Sequence, residues 1–211
     1  MTRLPASVLA VTTALLLAGC GGTSTTASSS APATGSSAPV ASSPSAPTAA
    51  HNPQDVTFIR DMIVHHASAI EMAKLAEQRA GSAEVKALAQ RIEQAQAPEI
   101  QIMSGWLRSW NEPVPDLAAA MSSGGHGGGH GGRSAMGGMD PADMQKLMTT
   151  RGAEFDRVFL QMMTEHHQDA VEMGRTEQAQ GQFGPAQQLA GEIVRTQSAE
   201  IDQMRGLLAK L

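Results

Sequence analysis

Two stretches of this chain carry the same pattern, Met-x-x-His-His-x-x-x-x-Glu-Met. The first supplies Met62, His65, His66, Glu71 and Met72. The second supplies Met163, His166, His167, Glu172 and Met173. Thioether sulfur and imidazole nitrogen suit soft metal ions such as Cu(I), whereas carboxylates suit harder ones. On a helix, Met62 stands one turn before both His65 and His66, so two imidazoles flank one thioether on a single face. Met72 lies further along on the His65 side, and Glu71 points roughly opposite. Downstream of each motif stand a glutamate and a methionine one turn apart, Glu99 with Met103 and Glu200 with Met204. Both pairs can face the same seam.

Bland uses of these residues compete with metal binding. A methionine stripe is ordinarily core filling, and a histidine on an apolar face is ordinarily a hydrogen-bonded core residue. Burying four imidazoles for packing alone would cost polar desolvation. Glu99 and Glu200 could satisfy some of them, which keeps a purely structural His–Glu network open. A metal-dependent oxidase is the enzymatic alternative. Di-iron carboxylate bundles use Glu-x-x-His pairs, but here the slots read Met62-x-x-His65 and Met163-x-x-His166, and no Glu-x-x-His occurs. A thioether in place of a hard carboxylate points to Cu(I), or Ag(I), held without catalysis. One shared site and one site per motif both remain open.

The elements that must position these residues are helical. Asn52–Pro53–Gln54–Asp55 has the N-cap, the first-turn proline and the acidic start of a helix. Phe58, Met62, His65, Ala69 and Met72 then fall at spacings of three and four as far as about Arg79. Gly81–Ser82 breaks the pattern, and a second helix is expected from about Ala83 to Trp110, kinked at Pro98. A third helix is expected over roughly Gly152–Gln180, after a short lead-in near Pro141, and a fourth from Pro185 towards Leu211. The second pair repeats the first: Leu88, Ile92, Gln96, Glu99 and Met103 find Leu189, Ile193, Gln197, Glu200 and Met204 without a gap. Two helical hairpins of one design with a long crossover make an all-α four-helix bundle. The hairpins cover 52–110 and 141–211, and the crossover 111–140.

With 13 Met and no Tyr, the core of residues 52–211 must rest on Ala, Leu, Ile, Val and Met. The net charge of −5 comes with scattered basic residues, which excludes a nucleic-acid surface. No Gly-x-Gly-x-x-Gly follows a strand and no serine sits in a nucleophile elbow. The single cysteine, Cys20, permits no intramolecular disulfide. It follows a basic start, an apolar run from Val8 to Leu17 and the small residues Ala18–Gly19. Residues 1–20 therefore read as a lipoprotein signal peptide, with lipid on Cys20 anchoring a secreted protein to the outer face of the membrane. Residues 21–51, rich in Ser, Thr, Ala and Pro, read as a disordered tether. In the crossover, His126 and His130 lie among glycines ahead of Met136 and Met139, a tract suited to weak metal capture. A partner protein for metal transfer is not identifiable from these residues.

The paired Phe…Met-x-x-His-His…Glu-Met helices, each followed by Gln-x-x-Glu-Ile-x-x-Met, resemble the bacterial domain-of-unknown-function family 305. The resemblance covers most of residues 52–211. It implies a ferritin-like fold and, as in some members, periplasmic copper binding linked to copper tolerance. It also implies that Met62, His65, His66, Met72, Met163, His166, His167 and Met173 are ligands. The Pro98 kink and the Gly/His crossover depart from the simplest family pattern.

Overall fold

Asn52 opens the first helix as its residue type suggests. Its side chain accepts hydrogen bonds from the backbone N–H of Gln54 and Asp55, and the Asp55 carboxylate accepts the Asn52 N–H at 2.6 Å. This reciprocal capping satisfies donors that a helix start otherwise leaves orphaned. The computed structural model describes residues 50–122 and 141–211. The segment around Cys20, nearly all of the tether, and His126, His130, Met136 and Met139 lie outside the described residues.

Among the described residues six helices follow one another: α1 (Pro53–Arg79), α2 (Ala83–Ser109), α3 (Leu117–Ser122), α4 (Pro141–Thr149), α5 (Gly152–Gln180) and α6 (Gly184–Leu208). No strand occurs among the described residues. Helices α1 and α2 form one hairpin, α5 and α6 the other, and α1 packs on α5. The lead-in before the third long helix is the nine-residue α4. The crossover also contains α3, which alternating glycine and polar composition nearby had concealed. Helix α2 continues unbroken through Pro98. That proline lies on the exposed face, where water can take the carbonyl its missing N–H would have served.

Each hairpin turn is clipped by an aspartate from the other hairpin. Asp156 on α5 is buried and accepts the N–H groups of Gly81 and Ser82, at 3.0 and 2.8 Å. Asp55 on α1, also buried, accepts those of Gln182 and Phe183, at 3.0 and 2.9 Å. The first turn lies close against the start of α5. A Cβ on Gly81 would stand 2.9 Å from the backbone carbonyl carbon of Gly152, itself at φ +64°. Only glycine fits the first position, and the second favours it.

The core divides into two apolar clusters. One gathers the C-terminal half of α1 (Ala69, Met72, Ala76), the start of α2 (Leu88, Ile92), the first half of α5 (Phe155, Phe159, Met163) and the end of α6 (Ile201, Met204). The other gathers Phe58, Met62 and Ile63 of α1, Ile100 and Met103 of α2, Ala170 of α5, and Ala190 and Ile193 of α6. Each of the four long helices therefore passes from one cluster to the other near its middle, where α1 and α5 carry the paired histidines.

Candidate metal centre

His65, His66, His166 and His167 are all buried, with exposures of 2, 0, 2 and 0 %. The adjacent histidines of α1 face those of α5 because α1 and α5 pack with their apolar stripes together. The rings of His65 and His166 meet with centroids 3.5 Å apart at 33°. Within each helix the neighbouring ring centroids are 6.5 and 6.3 Å apart. Four imidazoles thus form one layer between the two apolar clusters.

The hydrogen bonds of this layer fix which nitrogens remain open. Glu99 Oε2 lies 2.6 Å from His66 Nε2, and Glu200 Oε2 lies 2.7 Å from His167 Nε2. A carboxylate acceptor holds the proton on Nε2 and leaves Nδ1 as the lone-pair nitrogen, the arrangement by which carboxylates orient metal-binding histidines. Ser68 Oγ donates to the His65 carbonyl at 2.9 Å and lies 2.7 Å from His166 Nε2. With its own proton committed, Ser68 accepts from His166, which again leaves Nδ1 as the lone pair. Among the described residues, the Nδ1 atoms of His66, His166 and His167, and both ring nitrogens of His65, have no hydrogen-bond partner. Burial, and then the neighbouring imidazoles, hold His65 and His166 well below the usual histidine range. These two rings are neutral, the form a metal requires.

Among the described residues no three His, Cys, Asp or Glu side chains converge in ligand geometry. A metal here would depend on thioethers to complete its shell, and the methionines are placed at both borders of the layer. Met62, Met103 and the half-buried Met173 belong to one cluster, and Met72, Met163 and Met204 to the other. Each group draws on both hairpins. Met62 and Met72 stand on the same helix but about 15 Å apart along its axis at 1.5 Å per residue, so they serve opposite borders. Glu71 is exposed, pointing away from the layer as its spacing suggests. Glu99 and Glu200 face the histidines, as partners of the rings.

Three members of the layer were not among the candidate site residues. Ser68 fixes His166. Gln96 and Gln197 are 2 and 3 % exposed, and both amide atoms of Gln96 and Oε1 of Gln197 have no partner. The available signal was their position one turn before Glu99 and Glu200 on the same helical face.

A second acidic feature lies at one end of the bundle. Burial, reinforced by the Asp55 carboxylate, pushes the Glu177 carboxyl up to about 8. Burial also acts to raise Asp55, but hydrogen bonds from Glu177 and from the N–H groups of Asn52, Phe183 and Gln182 outweigh it and hold that group low. Ala76 occupies the position matching Glu177 in the first hairpin, so the other end has no counterpart.

The family model described as a domain of unknown function, DUF305, matches residues 55–208. No curated protein matches the chain. Among solved structures, a DUF305 protein from Streptomyces coelicolor is 35% identical with a TM-score of 0.63, over 74% of this chain and 93% of that one. CopM in its Cu(II)-bound form is 36% identical with a TM-score of 0.61, over 74% of this chain and 96% of that one. CopM in its Cu(I)-bound form is 34% identical with a TM-score of 0.59, over the same shares.

Proposed function

The chain belongs to the DUF305 family, and from that premise we propose that it binds and buffers a soft metal ion, Cu(I) or Ag(I), in the His/Met layer at the middle of its bundle. The observation that carries this is the buried quartet with partnerless ring nitrogens. Three of its rings are oriented by Glu99, Glu200 and Ser68 so that Nδ1 is the free lone pair. Unpaired buried polar atoms cost free energy, and a ligand that takes those lone pairs offsets the cost. The donor set fits a soft ion: imidazoles flanked by Met62, Met103 and Met173 on one side and Met72, Met163 and Met204 on the other. Solved CopM structures with Cu(I), Cu(II) and Ag support the same chemistry. Bound metal would draw its ligands from both hairpins, so loading also staples the bundle. The role is binding rather than turnover. Cys20, by its sequence context, carries a lipid that holds the domain at the outer face of the membrane, and a Cys20→Ser chain should lose membrane association.

The test is Cu(I) titration against a competing chelator, using the Cys20→Ser chain so that its thiol does not contribute. A second chain adds His65→Ala, His66→Ala, His166→Ala and His167→Ala. Tight binding that the histidine variant loses while remaining helical supports the layer as the site. Equal binding by both assigns the metal to the crossover or to scattered methionines. No binding by either leaves the layer as a structural network.

A further inference from the structure

The polar layer contains two side chains that the metal-binding reading has not used, Gln96 on α2 and Gln197 on α6. Both are buried within 2–3 % exposure. Their neighbours along each helix show where they stand. Ile92 belongs to one apolar cluster and Ile100 and Met103 to the other, so Gln96 marks the border on α2. Ile193 and then Ile201 and Met204 place Gln197 at the same border on α6. Each glutamine is one helical turn from the glutamate that grips an outer imidazole, Glu99 on His66 and Glu200 on His167.

Among the described residues, three of their four amide atoms have no partner. Both amide atoms of Gln96 and the Oε1 of Gln197 are buried without a hydrogen-bond partner. A leucine of similar size would suit a position bordered by isoleucine and methionine, and an unpaired buried amide is costly there. Spending the matched position twice on an amide makes sense if the amide is used in another state of the protein. The inner imidazole of His65 supplies that use. His66 and His167 already have carboxylate partners, but His65 has none on either nitrogen. His166 already gives its Nε2 proton to Ser68. A histidine that gives one nitrogen to a metal carries its proton on the other, and that N–H needs an acceptor.

We propose that Gln96 and Gln197 are positioning residues of the metal centre, and that a carboxamide oxygen of this pair accepts the N–H of the inner imidazole His65 when that ring turns its other nitrogen to the metal. The inference rests on the soft-metal reading of the same layer. In the metal-free protein the glutamines are a liability, and in the loaded protein they orient His65. Stability without metal and affinity for metal therefore move in opposite directions when they are replaced, which packing residues would not show.

The experiment compares the Cys20→Ser chain with the same chain carrying Gln96→Leu and Gln197→Leu. Thermal unfolding is followed without metal, and Ag(I) affinity is measured by competition titration. The expected result is a metal-free midpoint equal to or above that of the parent, with Ag(I) affinity about tenfold weaker or more. A metal-free midpoint that falls makes the glutamines ordinary structural residues and overturns the proposal. An affinity within twofold of the parent overturns it as well, while leaving the soft-metal reading intact. A parent chain with no affinity for Ag(I) overturns both.

Discussion

Removing the carboxylate of Asp156 tests how the hairpins are held together. This side chain is 1 % exposed and accepts two backbone N–H groups of the α1–α2 turn, from Gly81 at 3.0 Å and Ser82 at 2.8 Å. Hydrogen bonds to a charged group contribute about 1.5–3 kcal/mol each. Asp156→Ala loses both, but the turn is only partly buried, so water recovers some of the loss. The expected cost is about 3 kcal/mol. For a domain of this size each kcal/mol lowers the midpoint by roughly 2–4 °C, which gives a fall of about 6–12 °C. Asp156→Asn keeps one acceptor oxygen and should lose about half as much. The assay is thermal unfolding of metal-free protein by circular dichroism, with urea titration giving the free energy directly. An alanine variant within about 0.5 kcal/mol of the parent, the ordinary scatter of surface changes, would show that the clip does not hold the turn and refute the reasoning.

Three further outcomes follow from the geometry. Glu177 is raised to about 8 from 4.5; between those values the unfolded chain binds fewer protons than the folded one. Stability should therefore fall as pH rises through that window, and Glu177→Gln should flatten the fall in urea titrations from pH 5 to 9 (about the span of the shift); an unchanged slope would count against the buried acid pair. Gly81→Ala places a Cβ 2.9 Å from the Gly152 carbonyl carbon, and the overpacking should cost about 1–3 kcal/mol in the same unfolding assay. Met62→Leu with Met163→Leu nearly conserves volume, so each should cost less than about 1.5 kcal/mol, while Cu(I) affinity drops; unchanged affinity would remove both thioethers from the site.

Helix positions were legible because periodicity, Asn52, Pro53 and Gly81–Ser82 are local signals that the packing reinforces. The expected ends at Trp110 and Pro185 fall within a residue of the observed Ser109 and Gly184. The histidines were legible as two matched pairs because they recur in register, but that all four meet in one layer depends on how α1 packs on α5. The grouping of methionines was not, since it depends on how far each stands from the midpoint of its helix: Met62 and Met72 flank the same histidines but serve opposite borders. The clips made by Asp55 and Asp156 join residues far apart in sequence through backbone N–H groups that carry no side-chain signature. Gln96 and Gln197 were visible in the repeat, but an amide on a helix reads as surface until its burial is known.

The most direct measurement is a crystal structure of the chain loaded with Ag(I), with the metal located by its anomalous scattering. A peak within bonding distance of the layer's ring nitrogens, with a thioether from Met62, Met72, Met103, Met163, Met173 or Met204 in its shell, is the predicted result. A metal found only around His126 and His130, or at surface sites with the four imidazoles still stacked and unbound, would contradict the assignment of this layer as the metal centre.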